Sequence, residues 1–316
     1  MKEFPQDTPK GTSLGLKSLL GTEDLNAHQI TTILDRAVEM GQGNAVHSMK
    51  GKTVALLFFE PSTRTRSSFE IAAKRLGANT LVVTKEFSSS RKGETLWDTA
   101  KTIEAMAPDV LVLRHPSAGS PMHLSQILQV PVINGGDGFH EHPTQALLDL
   151  MTIRERKGTL EGLNVLIVGD IAHSRVARSD IYALKTCGAK VSVCGPPTLI
   201  PPQVEQLGVE VHWDLDEAIK GQDVVILLRM QFERMSAGQI PSVGEYARFY
   251  GMSSERLDSC PSDILVLHPG PMNRGVELTP KVADGPQSVI LNQVANGVLI
   301  RMAILELLCP TGGSRG

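Results

Sequence analysis

The strongest constraint on folding is an alternation: short runs rich in Val, Ile and Leu recur along the chain, each followed by a stretch of helical period. TVALLFF (53–59) predicts a strand and SSFEIAAKRLG (67–77) a helix, because Phe69, Ala72, Ala73 and Leu76 fall at i, i+3, i+4 and i+7 and Gly77 supplies a stop. TLVVT (80–84), DVLVL (109–113) and VPVIN (130–134) continue the strands, with helical stretches near 94–106 and 121–129 between them. Such alternation points to a parallel sheet covered by helices.

A second series begins after the helical stretch PTQALLDLMTIRERKG (143–158). Its strands are LNVLIVGD (163–170), KVSVCG (190–195), VEVHW (209–213), DVVILL (223–228) and DILVL (263–267), and the chain closes in a long helical stretch over about 287–309. At about 150 residues per domain, 316 residues suggest two domains. The expectation is an α/β chain of two doubly wound, parallel-sheet (Rossmann-like) domains linked by helices, with the C-terminal helix returning to the first. Residues 1–146 with 292–316 form one domain in this reading, and 147–291 the other.

Composition excludes several classes. A net charge of -3 gives no basic field for nucleic acid or a membrane surface, and 4% aromatics leave little base-stacking surface. Cys187, Cys194, Cys260 and Cys309 show no C-x-x-C spacing and no adjoining His cluster, which argues against a metal site or disulfide framework and fits a reducing cytoplasm. MKEFPQDTPKGTS has no apolar core of a signal peptide, and the longest unbroken apolar runs are far short of the roughly 18 residues a span needs.

Polar clusters sit at predicted strand ends. In FFEPSTRTR, Ser62, Thr63, Arg64 and Thr65 follow a buried strand and open a helix. A helix N-terminus presents unpaired N–H groups and a positive dipole end, and a guanidinium matches phosphate oxygens. A plain N-cap explains one such residue; four together favour an anion. SSSRKGET (88–95) is a polar loop that alone reads as surface. Arg114 ends the strand of LVLRHP, where a ligand contact and an ordinary ion pair are equally compatible. In HEHPTQALLDL, His142 and Gln145 share one side of a first helical turn, one suited to an oxyanion and the other to an amide. VLIVGDIAHSRVARS lacks G-x-G-x-x-G, which weighs against a nicotinamide-dependent oxidoreductase. Its Arg175, with Arg229 and Gln231 of LLRMQFER, would suit two carboxylates, although salt bridging explains either arginine alone. LVLHPGPMNRG ends a strand in a Pro- and Gly-rich turn whose carbonyls are left to accept from an amide.

Taken in order, FFEPSTRTR, RKGET, LRHP, HPTQALLDL, VGDIAHSRVARS, RMQFER and HPGPMNRG resemble the transcarbamylases, and the later motifs resemble the aspartate branch, over nearly the whole chain. The resemblance implies transfer of a carbamoyl group from carbamoyl phosphate to L-aspartate in pyrimidine (UMP) biosynthesis, with no cofactor and no metal. It implies that Ser62, Thr63, Arg64 and Thr65 hold the phosphate, and that Arg114 bridges phosphate and carbonyl oxygen. Thr65, Arg114 and His142 would stabilise the oxyanion, and Gln145 with the carbonyls of Pro269 and Gly270 would hold the carbamoyl NH2. Lys92, Arg175, Arg229 and Gln231 would bind aspartate. Ser88 and Lys92 match residues that enter the site from a neighbouring subunit, which implies a homotrimer with shared sites. A free trimer and a larger assembly with regulatory chains or dihydroorotase both fit. Some relatives carry Leu at Gly270 and His at Arg178, so the role of Arg178 stays open, as does loop 235–256. The rival amine, ornithine, goes with a HCLP-like turn; here the turn is HPGP, and Arg229 would repel an ammonium group. A non-catalytic homologue should have lost phosphate or oxyanion groups, and all are present.

Overall fold

The computed structural model describes residues 14–43, 48–84, 94–232 and 238–309. Two compact units emerge, Met1–Leu20 with Thr31–Gly138 and Val298–Gly316, and Gly21–Ile30 with Phe139–Gly297.

The first unit holds strands β1 (Thr53–Phe58), β2 (Asn79–Thr84), β3 (Val110–His115) and β4 (Val132–Asp137), all parallel, in the order β2-β1-β3-β4. Helix α1 (Ala27–Gly41) runs into this unit from Thr31 onward, and α2 (Thr63–Arg75), α3 (Leu96–Ala105) and α4 (Ser120–Ile127) follow β1, β2 and β3. Val54, Ala55, Leu56 and Leu57 of β1 and Val110 to Leu113 of β3 are wholly buried, because a parallel strand is covered on both faces. That is why these strands read as unbroken apolar runs.

Helix α2 starts at Thr63, ahead of the expected 67, because its polar first turn carries no apolar period. It stops as its sequence predicts. Gly77 takes φ +78, its N–H reaches Lys74 O at 3.0 Å, and the Ala78 N–H reaches Ala73 O at 2.9 Å. This pair of bonds is a Schellman stop, and only glycine adopts that φ without strain.

The second unit holds β5 (Asn164–Val168), β6 (Lys190–Cys194), β7 (Glu210–His212), β8 (Val224–Leu227) and β9 (Leu265–Leu267), again all parallel, in the order β7-β6-β5-β8-β9. Its helices are α5 (Pro143–Lys157), α6 (Arg175–Thr186), α7 (Leu215–Ala218), α8 (Val243–Tyr250), α9 (Ser254–Asp258) and α10 (Pro280–Ala283). Helix α1 and helices α7 to α10 are additional to the sequence expectation, and α8 falls in the unassigned stretch 235–256, of which 235–237 lie outside the described residues.

Helix α11 (Ile290–Leu308) belongs to the second unit up to Gly297 and to the first from Val298. It is long and apolar enough to cross a membrane, which run length did not show because polar residues interrupt it. Those residues have protein partners. Asn296 Nδ2 donates to Thr152 Oγ1 at 3.0 Å and Glu155 Oε2 at 2.6 Å, Arg301 lies 5.2 Å over the Phe69 ring, and Glu306 pairs with Arg36 at 2.5 Å. Helix α11 is thus built as a core helix.

Each sheet reverses its winding once, between β1 and β3 in the first unit and between β5 and β8 in the second. In open α/β sheets ligands bind beyond the carboxyl ends of the strands that flank such a switch.

Candidate active site

At the first switch, β1 runs out through Phe59, Glu60 and Pro61 to Ser62, the N-cap of α2. Ser62 is extended (φ -162°, ψ 94°) and its hydroxyl makes no cap hydrogen bond. The amides of Thr63, Arg64 and Thr65 follow, with no acceptor inside the helix. Thr63 and Arg64 are exposed and Thr65 is buried. Across the switch, Arg114 is paired in register with Phe58, and its carbonyl accepts from Phe59 N–H at 2.9 Å. The Arg114 side chain donates through Nη1 to Gly135 O at 3.1 Å, and its Nε lies 3.4 Å from Glu60 Oε2. A helix N-terminus, Arg64 and a braced guanidinium thus meet at one switch, an arrangement suited to a phosphate dianion.

At the second switch, β5 ends at Val168 beside Leu227 of β8, and Leu228 N–H reaches Val168 O at 2.8 Å. Gly169 sits at φ +126, and a Cβ there would lie 3.0 Å from the Tyr246 hydroxyl, so the chain turns only with glycine. Arg175 opens α6 and is buried, behind Ser174, whose Oγ accepts from Ala177 N–H at 3.1 Å. Beyond β8, Arg229 and Gln231 are both partly exposed. Between them Met230 is buried, and its N–H donates to Glu277 Oε1 at 2.9 Å. Burial pushes the Glu277 carboxyl up, but His268 at 3.7 Å, the Met230 N–H and Asn273 outweigh it and hold the group below the usual carboxylate range. Two arginines flanking one switch suit a dicarboxylate.

His142 is the N-cap of α5 and is buried. Its N–H donates to Ser179 Oγ at 2.8 Å, and Ser179 Oγ donates to Glu141 Oε2 at 2.8 Å. Glu141 also receives the Thr22 N–H at 2.6 Å and the Thr22 hydroxyl at 2.7 Å. A Cβ at Gly21 would lie 2.2 Å from Glu141 Oε1, so a side chain there would displace the Glu141 carboxylate from these bonds. Glu23, His140 and Glu141 bring possible metal-ligand atoms within 4.8 Å of one another, but Glu141 is occupied by these bonds and serves to fix the entry to α5. Gln145 donates through Nε2 to Asp149 Oδ1 at 3.0 Å. Pro269 and Gly270 form the turn after β9, closed by Gly270 N–H to His268 Nδ1 at 2.8 Å.

The expected residues thus fall into two sets. Ser62, Thr63, Arg64, Thr65 and Arg114 lie in the first unit; His142, Gln145, Arg175, Arg229, Gln231, Pro269 and Gly270 lie in the second. Ser88 and Lys92 lie outside the described residues. Three bracing carboxylates, Glu60, Glu141 and Glu277, were missed by sequence reasoning. Glu60 stands inside FFEPSTRTR and Glu141 inside HEHPTQALLDL, but Glu141 and Glu277 bond to residues 119 and 47 positions away, which nothing in the local sequence reveals.

Residues 17–155 match the model of the aspartate/ornithine carbamoyltransferase carbamoyl-P binding domain, and residues 161–308 match that of the Asp/Orn binding domain. The chain is similar to the aspartate carbamoyltransferase catalytic subunit of Syntrophotalea carbinolica, with 53% identity over 95% of this chain and 96% of that one. Among solved structures it resembles aspartate transcarbamoylase from Trypanosoma cruzi in complex with carbamoyl phosphate, with TM-score 0.84 and 32% identity over 95% and 99% of the two chains. It also resembles ornithine carbamoyltransferase from Pyrococcus furiosus, with TM-score 0.82 and 32% identity over 92% and 96%. With both family models matched over most of its length, the chain belongs to the aspartate/ornithine carbamoyltransferase family.

Proposed function

We propose that the chain is an aspartate carbamoyltransferase, which moves the carbamoyl group of carbamoyl phosphate onto the α-amine of L-aspartate in pyrimidine (UMP) synthesis. The observation that carries this reading is one arginine-bearing switch point in each unit, Arg64 and Arg114 at the first and Arg175 and Arg229 at the second. Backbone similarity alone does not choose the amine, since it extends to an ornithine enzyme. The choice rests on Arg229 and the HPGP turn, because a guanidinium repels the ammonium of ornithine and attracts a carboxylate.

In this reading Ser62, Thr63, Arg64 and Thr65 hold the phosphate, and Arg175, Arg229 and Gln231 hold both carboxylates of aspartate. The neutral α-amine attacks the carbamoyl carbon and forms the C–N bond. The C–O bond to phosphate then breaks, and the amine proton passes to the departing phosphate. In this reading Thr65, Arg114 and His142 would donate to the oxygen that gains charge, where one preorganised donor contributes about 2.7–4 kcal/mol in other acyl transfers. Gln145 and the carbonyls of Pro269 and Gly270 accept from the NH2 group.

Formation of N-carbamoyl-aspartate by the purified protein tests the reaction. Product with ornithine and none with aspartate would give the second amine; none with either would leave a non-catalytic homologue. The assembly in this reading is a homotrimer with Ser88 and Lys92 of a neighbouring copy completing each site. A Lys92→Ala chain and a His142→Ala chain, each inactive alone, should regain activity when reassembled together. Persistent inactivity of the mixture counts against shared sites. The four free cysteines support a cytoplasmic location.

A further inference from the structure

Under the reading above, the carbamoyl NH2 group is recognised from two places in the second unit: the Gln145 side chain on α5, and the Pro269 and Gly270 carbonyls after β9. One buried side chain joins them. Gln293, 2% exposed on the first turn of α11, accepts from His268 N–H through Oε1 at 2.9 Å. Its Nε2 donates to Asp149 Oδ1 at 2.6 Å. Asp149 receives Gln145 Nε2 as well, at 3.0 Å and 3.3 Å to its two oxygens. On the other side, His268 Nδ1 accepts from Gly270 N–H at 2.8 Å and closes the turn that carries both carbonyls.

The direction of these bonds follows from one fixed polarity. A backbone N–H only donates, so Gln293 must turn its oxygen to His268 and its NH2 to Asp149. Asp149 is then the acceptor for both glutamines. The NH2 of Gln145 is engaged, and its carbonyl oxygen is the end left to accept from a ligand. A glutamine turned the other way would present a donor to the carbamoyl NH2 and repel it.

We infer that Gln293 is a positioning residue for recognition of the carbamoyl NH2: it orients the Gln145 amide through Asp149 and anchors the Pro269–Gly270 turn through His268, so that all three acceptors face one amide. The inference rests on the assignment of those three acceptors. It makes Gln293 a determinant of specificity without contact to substrate.

Acetyl phosphate provides the test, because it carries a methyl group where carbamoyl phosphate carries NH2. Dissociation constants for inorganic phosphate, acetyl phosphate and carbamoyl phosphate are measured on the full chain and on Gln293→Met and Gln293→Glu. The Met variant keeps the length of the side chain without polarity; the Glu variant still accepts from His268 but cannot donate to Asp149. Both variants should bind phosphate and acetyl phosphate as the parent does and bind carbamoyl phosphate about tenfold or more weakly, since a site built to pair an NH2 loses that pairing when its acceptors turn. An unchanged preference for carbamoyl over acetyl phosphate in both variants overturns the inference while leaving the reaction assignment intact. Equal loss of all three ligands in both variants also overturns it, because Gln293 is then only a structural residue. No preference in the unsubstituted protein removes the NH2 recognition itself, and the inference falls with it.

Discussion

Asp180 is wholly buried on α6, beside Asp149. Burial first, then the charge of the neighbouring Asp149, push the Asp180 carboxyl well above the usual carboxylate range. In the unfolded chain an Asp titrates near about 3.9. Below that pH both states hold the proton, and folding gains nothing or loses nothing from it. Above it the unfolded chain releases a proton that the folded chain keeps, so stability falls as pH rises toward the folded value. Asp180→Asn keeps a donor toward Asp149 and removes the titration. Its urea midpoint should therefore improve relative to the parent on going from pH 4.5 to pH 8; an offset that is the same at both values contradicts this account. His142 makes a second prediction at this scale. Its backbone is fixed by Ser179 and Glu141, so truncating its side chain leaves the entry to α5 in place. His142→Ala should lower kcat about 10²–10³-fold, the effect of losing one oxyanion donor, with the affinity for inorganic phosphate within about twofold of the parent. Steady-state rates and phosphate titration read the two quantities separately.

Helices α2 and α3 begin with the same kind of residue put to different use. Thr95 caps α3, and its hydroxyl accepts from Asp98 N–H at 3.2 Å. Ser62 caps α2 by position, yet its hydroxyl makes no such bond. Thr95→Ala should cost about 1 kcal/mol of stability, the usual loss for a working cap, and leave phosphate affinity unchanged. Ser62→Ala should cost under about 0.5 kcal/mol and weaken phosphate at least about fivefold. Denaturant unfolding with and without phosphate distinguishes them, and equal stability losses would mean that Ser62 is an ordinary cap. These elements also show what a sequence discloses. Strands β1, β3, β5 and β8 were legible because two covered faces leave an unbroken apolar run. That Ser62 to Thr65, Arg114, Arg175 and Arg229 stand just beyond or at strand ends was legible, because their positions follow from the strands. The start of α2 was hidden by its polar first turn, and the extension of β4 to Asp137 by Gly135 and Gly136, which have low strand propensity and are held by burial instead. Gln293 and Glu277 were illegible for another reason: each looks like any polar residue until the fold brings it to a backbone N–H 25 or 47 positions away.

Arg64 and Arg114 stand at the switch of the first unit, suited to a phosphate, and Arg175 and Arg229 at that of the second, suited to carboxylates. A ligand that carries both acidic ends at once, phosphonoacetyl-aspartate, should engage both units, whereas inorganic phosphate should engage the first. Amide hydrogen exchange resolves this by residue. The N–H groups of Thr63 and Arg64 lack intrahelical acceptors, as does that of Val176 at the start of α6, so they exchange without unfolding unless a ligand covers them. Phosphate alone should slow exchange at 63–64 and leave 176 as it was. Phosphonoacetyl-aspartate should slow exchange at both, and at Arg229 and Gln231. At a concentration 100 times its dissociation constant the ligand stabilises whatever binds it by about 2.7 kcal/mol, so the most protected amides of each unit should slow by about a hundredfold when both units are engaged. Slowing confined to the first unit would mean that the second switch holds no part of the ligand, and Arg175 and Arg229 would then have to be assigned to ion pairs within their own unit.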